Sequence, residues 1–140
     1  MAKAAKNLNK KLNSVGVPVV KPVPINIAGM KKGQVMLIPT PKLVDQFIRK
    51  IPKGKSIDVK ALRANLAASH DAEVTCPITM GFHVRTIAEA AYESFNAGTP
   101  INKITPIWRV LDADSPTIKK LSFDPEFILA QRREEGIDEL

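Results

Sequence analysis

Apolar residues recur at helical spacing in separate stretches of this chain, and turn residues punctuate the gaps between them. Leu43, Val44, Phe47, Ile48 and Ile51 fall on one side of a helix opened by Thr40-Pro41. The hydroxyl there can cap free amides, and the proline occupies a first helical position that needs no donor. Pro52 to Lys55 is the turn that ends this helix. Asp58 caps a second, short helix with Leu62 and Leu66 on its inner face, ending before the polar Ser69-His70-Asp71 stretch. A third and longer helix is predicted from about Thr79 to Ala97, with Ile87, Ala91 and Phe95 on one face and Gly98 permitting a left-handed exit. Asp124-Pro125 opens a last helix whose buried side is Phe127, Ile128 and Leu129 and which Gly136 closes. Between the last two, the β-branched and aromatic residues of Ile101 to Val110 suit short extended segments, and Asp112 to Pro116 reads as a turn. No internal repeat interrupts this order. The expected fold is mainly α with short β segments.

Ahead of Gly33 the periodicity fails. Val17-Pro18-Val19-Val20-Lys21-Pro22-Val23-Pro24 alternates valine with proline, which lacks an amide donor and favours polyproline geometry over helix. Residues 1–34 are therefore read as a flexible Lys- and Pro-rich arm, and 35–140 as one folded domain of about 100 residues, an ordinary single-domain size. A large multi-step enzyme does not fit that length.

The net charge of +7 follows the same division. Residues 1–32 hold seven lysines (Lys3, Lys6, Lys10, Lys11, Lys21, Lys31, Lys32) and no acid, leaving 14 of the 21 basic residues against 14 acids in the remainder. Such an arm adds salt-sensitive affinity for phosphate backbones by counterion release, or else serves only as a solvated tail. Within the domain, basic residues cluster between Lys42 and Arg63 and acids collect from Asp112 to Glu139, so one face could be positive. No apolar run approaches the ~18 residues a membrane span requires, and Met1 to Val20 has no secretory pattern. A cytoplasmic, nucleoid-associated location without a membrane partner is expected. One cysteine makes no internal disulfide, and one cysteine with two histidines does not assemble a zinc site of ordinary ligand count. No metal or other cofactor is expected.

Pro106-Ile107-Trp108-Arg109-Val110 resembles the Pro-Cys-His-Arg-Val active-site motif of the O6-alkylguanine-DNA alkyltransferases, and flanking motifs follow in order. Ile51-Pro52-Lys53-Gly54-Lys55, then Leu62-Arg63-Ala64-Asn65-Leu66-Ala67, is similar to the helix, Ile-Pro-x-Gly turn and short helix that open that family's DNA-binding domain. Arg85-Thr86-Ile87-Ala88-Glu89-Ala90-Ala91 resembles the start of its recognition helix. Gly98-Thr99-Pro100 lies the family's distance ahead of Pro106, and Glu135-Gly136 is similar to the carboxylate that orients the family's histidine. The resemblance spans roughly residues 40 to 136. Departures are Thr99 for an asparagine hinge, Val59 where a tyrosine meets the target phosphate, a missing Gly-Tyr-x-Gly-Gly loop between Val110 and Phe123, and a few extra residues between Ala91 and Gly98.

The resemblance implies a winged-helix or helix-turn-helix DNA-binding domain of alkyltransferase type. It further implies a role in DNA repair as a monomer on double-stranded DNA, with O6-alkylguanine or distorted DNA as target and other repair proteins as partners. Arg85 would enter the duplex beside an extruded nucleotide, Lys53, Lys55 and Lys60 would meet phosphates, and Ile107, Trp108 and Thr99 would shape the base pocket. The chemistry is removed, however. Isoleucine has no lone pair to attack a carbon and an indole is no base near neutral pH, so no catalytic residue remains at the motif. Alkyltransferase-like proteins also replace the cysteine, usually with tryptophan before an intact histidine. Here the histidine is replaced as well.

Blander roles compete with these. Arg85 could pair with Glu89 at i+4, the sole tryptophan of a small domain suits a core, and Glu135 could pair with Arg109. Cys76 carries a rival reading, a methylated-DNA–protein cysteine methyltransferase, because it is the only thiol and stands near the start of the third helix. It equally suits a small buried apolar position, with His70 and His83 in surface or capping roles. A third reading is a helix-turn-helix module for chromosomal binding or transcription with no interest in damage.

Overall fold

Side-chain caps written in the sequence start two of the four described α-helices. The computed structural model describes residues 16–138. Over these the chain is mainly helical with a small sheet. The strands are β1 (Val19–Pro22), β2 (Val35–Ile38) and β3 (Val74–Thr75), and the α-helices α1 (Pro41–Arg49), α2 (Val59–Ser69), α3 (Pro77–Asn96) and α4 (Glu126–Glu134). Thr40 Oγ1 accepts from the Leu43 amide at 3.1 Å and Asp58 Oδ1 from the Ala61 amide at 2.7 Å, satisfying first-turn donors of α1 and α2. Helix α3 opens on Pro77 in place of a side-chain cap. Asp124 Oδ1 accepts from the Glu126 amide at 2.9 Å as α4 begins. Gly98 and Gly136 take φ of +97° and +74° beyond the ends of α3 and α4, the left-handed exit that glycine permits.

The arm expected over residues 1–34 needs correction. Residues 1–15 lie outside the described residues, but the part from Val19 onward is folded. Strand β1 pairs antiparallel with β2, Val19 opposite Ile38 and Pro22 opposite Val35, so the expected boundary at residue 35 falls inside a hairpin. Proline is tolerated because β1 is an edge strand, where a missing amide breaks no ladder. A tight turn, Ile27 to Met30, doubles the connection back with paired bonds of 3.0 and 2.8 Å, Ala28 and Gly29 both at positive φ. The hairpin buries Val23 and Met30 with Met36 and Cys76 in a small cluster of their own. On its other edge β2 pairs parallel with β3, Met36 opposite Val74 and Leu37 opposite Thr75.

The main core draws Val44 and Ile48 from α1, Leu62 and Leu66 from α2, Met80, Val84 and Ile87 from α3 and Ile128 from α4. Tyr92, Phe123 and Phe127 close it on one side, with Tyr92 stacked on Phe123 at 4.2 Å. Ile101 to Val110, expected to be extended, instead forms two 3₁₀ turns, Ile101–Lys103 and Ile107–Arg109. Pro100 and Pro106 stand at the head of each turn, and the backbone bonds close locally, Lys103 to Pro100 at 2.9 Å and Arg109 to Pro106 at 3.0 Å. The turn expected at Asp112 to Pro116 is present, the Ser115 amide reaching the Asp112 carbonyl at 3.1 Å. No helix among the described residues is long and apolar enough to cross a membrane.

Candidate nucleic-acid interface

The Pro106–Val110 segment is enclosed rather than open. Ile107 is 0% and Trp108 2% exposed, so the base pocket expected of them and Thr99 is not formed by this segment. The physical reason is a network that holds the segment inward. Trp108 Nε1 donates to Glu135 Oε2 at 2.7 Å, and Arg109 donates to both oxygens of the same carboxylate at 2.9 Å. The Gly54 amide adds a fourth bond to Glu135 at 3.0 Å, and Arg109 also reaches the Ile51 carbonyl at 2.7 Å. Buried Arg132 donates to the carbonyls of Trp108 and Leu111 at 2.7 and 3.2 Å and pairs with Asp138. Thr99 is half-buried in the turn leaving α3, its amide bonded to the Ser94 carbonyl. Burial pushes the Glu135 carboxyl up, but the bonds from Arg109, Gly54 and Trp108 and the Arg109 charge outweigh it and bring the pKa to about 2. Indole and guanidinium thus occupy the carboxylate together.

The thiol is enclosed too. Cys76 is 8% exposed, packed with Val23, Met30 and Met36, and its sulfur accepts from Thr79 Oγ1 at 3.4 Å. Neither imidazole is hydrogen-bonded to it. His70 bonds to Ser69, and His83 Nε2 donates to the Pro39 carbonyl at 2.8 Å. Burial holds the His83 pKa below its ordinary value, against the opposing effect of that bond.

The outer side of α3 is the opposite case. Ile78, Phe82, Arg85 and Glu89 lie at i, i+4, i+7 and i+11, which places them on one stripe directly across the helix from buried Met80, Val84, Ile87 and Ala91. Ile78 is 48% and Phe82 64% exposed. The Arg85–Glu89 pair that sequence spacing allows is not made, because Glu89 accepts from both the amide and the hydroxyl of Ser122. Among the described residues no carboxylate lies within ion-pair distance of Arg85.

Shallow clefts run alongside this stripe. One of about 300 Å³ is bounded by Pro77, Gly81, Phe82, Arg85, Thr117 and Lys120 and contains no acid. It continues into one of about 500 Å³, where Lys60, Arg63 and Lys120 face Asp58, Asp112 and Asp114, so that part is formally neutral. Lys60 and Arg85 therefore border one continuous strip, whereas Lys55 borders a separate cleft with Phe47, Lys50 and Asn65. Lys53 is exposed in the turn between α1 and α2, and the structure does not bring it to the strip. Sequence reasoning missed Phe82, Gly81 and Lys120. The signal for Phe82 was an aromatic facing away from the Ile87 and Ala91 face; Lys120 lies in a stretch dominated by acids.

The chain matches no family model, no curated protein and no solved structure.

Proposed function

We propose that this protein binds double-stranded DNA through the outer stripe of α3 and transfers no alkyl group. The observation that carries this reading is Arg85, exposed and unpaired on α3, one cleft away from Lys120 and with no acid between them. Favouring it further, the short α2 precedes the longer α3 in the order of a helix-turn-helix, whose second helix enters the groove, with β3 placed in the connection between them. The 3₁₀ turn Pro116–Lys120 flanks α3 where a wing would lie, so the winged-helix form is part of the proposal. Phosphates near the first turns of α3 also gain from its dipole. The absence of transfer rests on Ile107 and Trp108, which offer neither nucleophile nor base, and on the enclosure of Cys76. The target is alkylated or otherwise distorted DNA in repair, bound by a monomer that other repair proteins then join. With Ile107 and Trp108 in the core, preference for such DNA has to arise from the duplex rather than from a base seated against them.

Fluorescence anisotropy of a dye-labelled duplex at two salt concentrations tests the reading. Wild-type protein should bind with strong salt dependence, and Arg85→Ala should weaken binding to every duplex about tenfold and lower the salt slope by about one. No binding at ~50 mM salt would overturn it. Equal affinity for plain and O6-methylguanine duplexes would instead favour a chromosomal or transcriptional module.

A further inference from the structure

We infer that Phe82, with Ile78 one turn before it, is a wedge that enters a weakened base step of duplex DNA, while Arg85 and Lys120 hold the flanking phosphates. This rests on the DNA-binding reading and adds the source of its specificity. A phenylalanine 64% exposed on a helix whose other face fills the core gains little from folding. Its surroundings select the occupant. Of the two clefts beside it, one carries Arg85 and Lys120 without an acid, a charge pattern complementary to a polyanion, and in the other the Glu89 carboxylate is taken by Ser122. Size points the same way. A phenylalanine offers about 150–250 Å², so with Ile78 the apolar area falls well below the ~800 Å² per partner of a stable protein interface. It is enough for insertion between bases, where apolar side chains unstack a step and basic neighbours hold the backbone.

Gly81 adds an independent feature. It lies exposed inside α3, where glycine costs about 0.8–1 kcal/mol relative to alanine, and a methyl group built on it would meet no atom within 4 Å. The helix thus leaves its backbone bare beside Phe82, which allows close approach of a sugar-phosphate strand. Opening a step costs least where the duplex is already mismatched or damaged, so a wedge confers preference for such sites without a base pocket.

The test uses the full chain with duplexes carrying 2-aminopurine beside a normal pair, a mismatch or O6-methylguanine. Wild-type protein should brighten 2-aminopurine at the mismatch and the lesion and favour these duplexes over the normal one by about tenfold. Phe82→Ala should abolish both the brightening and the preference while keeping affinity for the normal duplex within about twofold. A circular-dichroism melt equal to wild type shows that the variant is folded. If duplexes are bound and Arg85→Ala weakens them, but Phe82→Ala behaves as wild type, the wedge is wrong and the DNA-binding reading stands. If wild-type protein binds no duplex, both fall.

Discussion

The Pro106–Leu111 segment and the outer stripe of α3 are built on opposite principles. In the first, four hydrogen bonds converge on one carboxylate, Arg132 secures the backbone, and indole and isoleucine are enclosed. In the second, a large aromatic stays in solvent, an arginine has no carboxylate, and a glycine interrupts a helix that would be stronger without it. Satisfied groups stabilise the fold, and unsatisfied ones remain for a partner. The segment that resembles a catalytic motif in sequence is thus enclosed, and the helix beside it carries the proposed binding.

The largest expected effect breaks the enclosed side. Glu135→Ala leaves the Trp108 indole N–H, the Arg109 guanidinium and the Gly54 amide without their acceptor and should cost about 3–5 kcal/mol in urea unfolding. Arg85→Ala should stay within about 0.5 kcal/mol of wild type in the same measurement. A comparable loss in both would erase the contrast.

Acid probes the same carboxylate. The Glu135 pKa falls on folding, from an ordinary 4.5 to about 2, so its contribution is complete above pH 4.5 and is lost as pH drops toward 2. At most about 3 kcal/mol is involved, at 1.36 kcal/mol per pH unit. Urea midpoints measured at stepwise lower pH should show this loss, and Glu135→Gln should flatten it. Asp138, held down chiefly by the bond from Arg132, adds to the loss in the same direction.

Gly81→Ala sharpens the exposed side. It should raise stability by about 0.8–1 kcal/mol, since the helix gains a better former and the methyl has open space, yet it should weaken duplex binding. A gain in stability with unchanged affinity would show that the bare backbone is not used. The smallest effect lies outside both regions. Ala28 holds φ at +52° in the tight turn before β2, so Ala28→Gly should gain up to about 1 kcal/mol in a thermal melt and leave DNA binding alone.

Local chemistry was legible where a residue acts on its own neighbours. Thr40, Asp58, Gly98 and Gly136 end or begin helices as their types suggest, and α3 at Pro77–Asn96 lies within two residues of its expected span. Strand β1 was hidden because valine alternating with proline has the same local signature in a solvated arm and in a paired edge strand; only the partner β2 distinguishes them. A core place for Trp108 and a pair between Arg109 and Glu135 were both open from residue type, and both are present, whereas the bond from Trp108 to Glu135, 27 positions away, was not legible. The spacing gave Arg85 a partner in Glu89, but Ser122, 33 residues on from Glu89, takes that carboxylate. At the candidate site, Arg85 and Lys60 were visible as cations, whereas the cleft joining them needs the Pro116–Lys120 turn to fold back beside α3.

The most direct measurement is an amide and indole NMR titration of the protein with a mismatched duplex, which observes both regions at once. The contrast predicts that Gly81, Phe82, Arg85 and Lys120 shift while the Trp108 indole N–H and the Gly54 amide keep their positions. Shifts concentrated at Trp108 and Gly54 with α3 unmoved would contradict it.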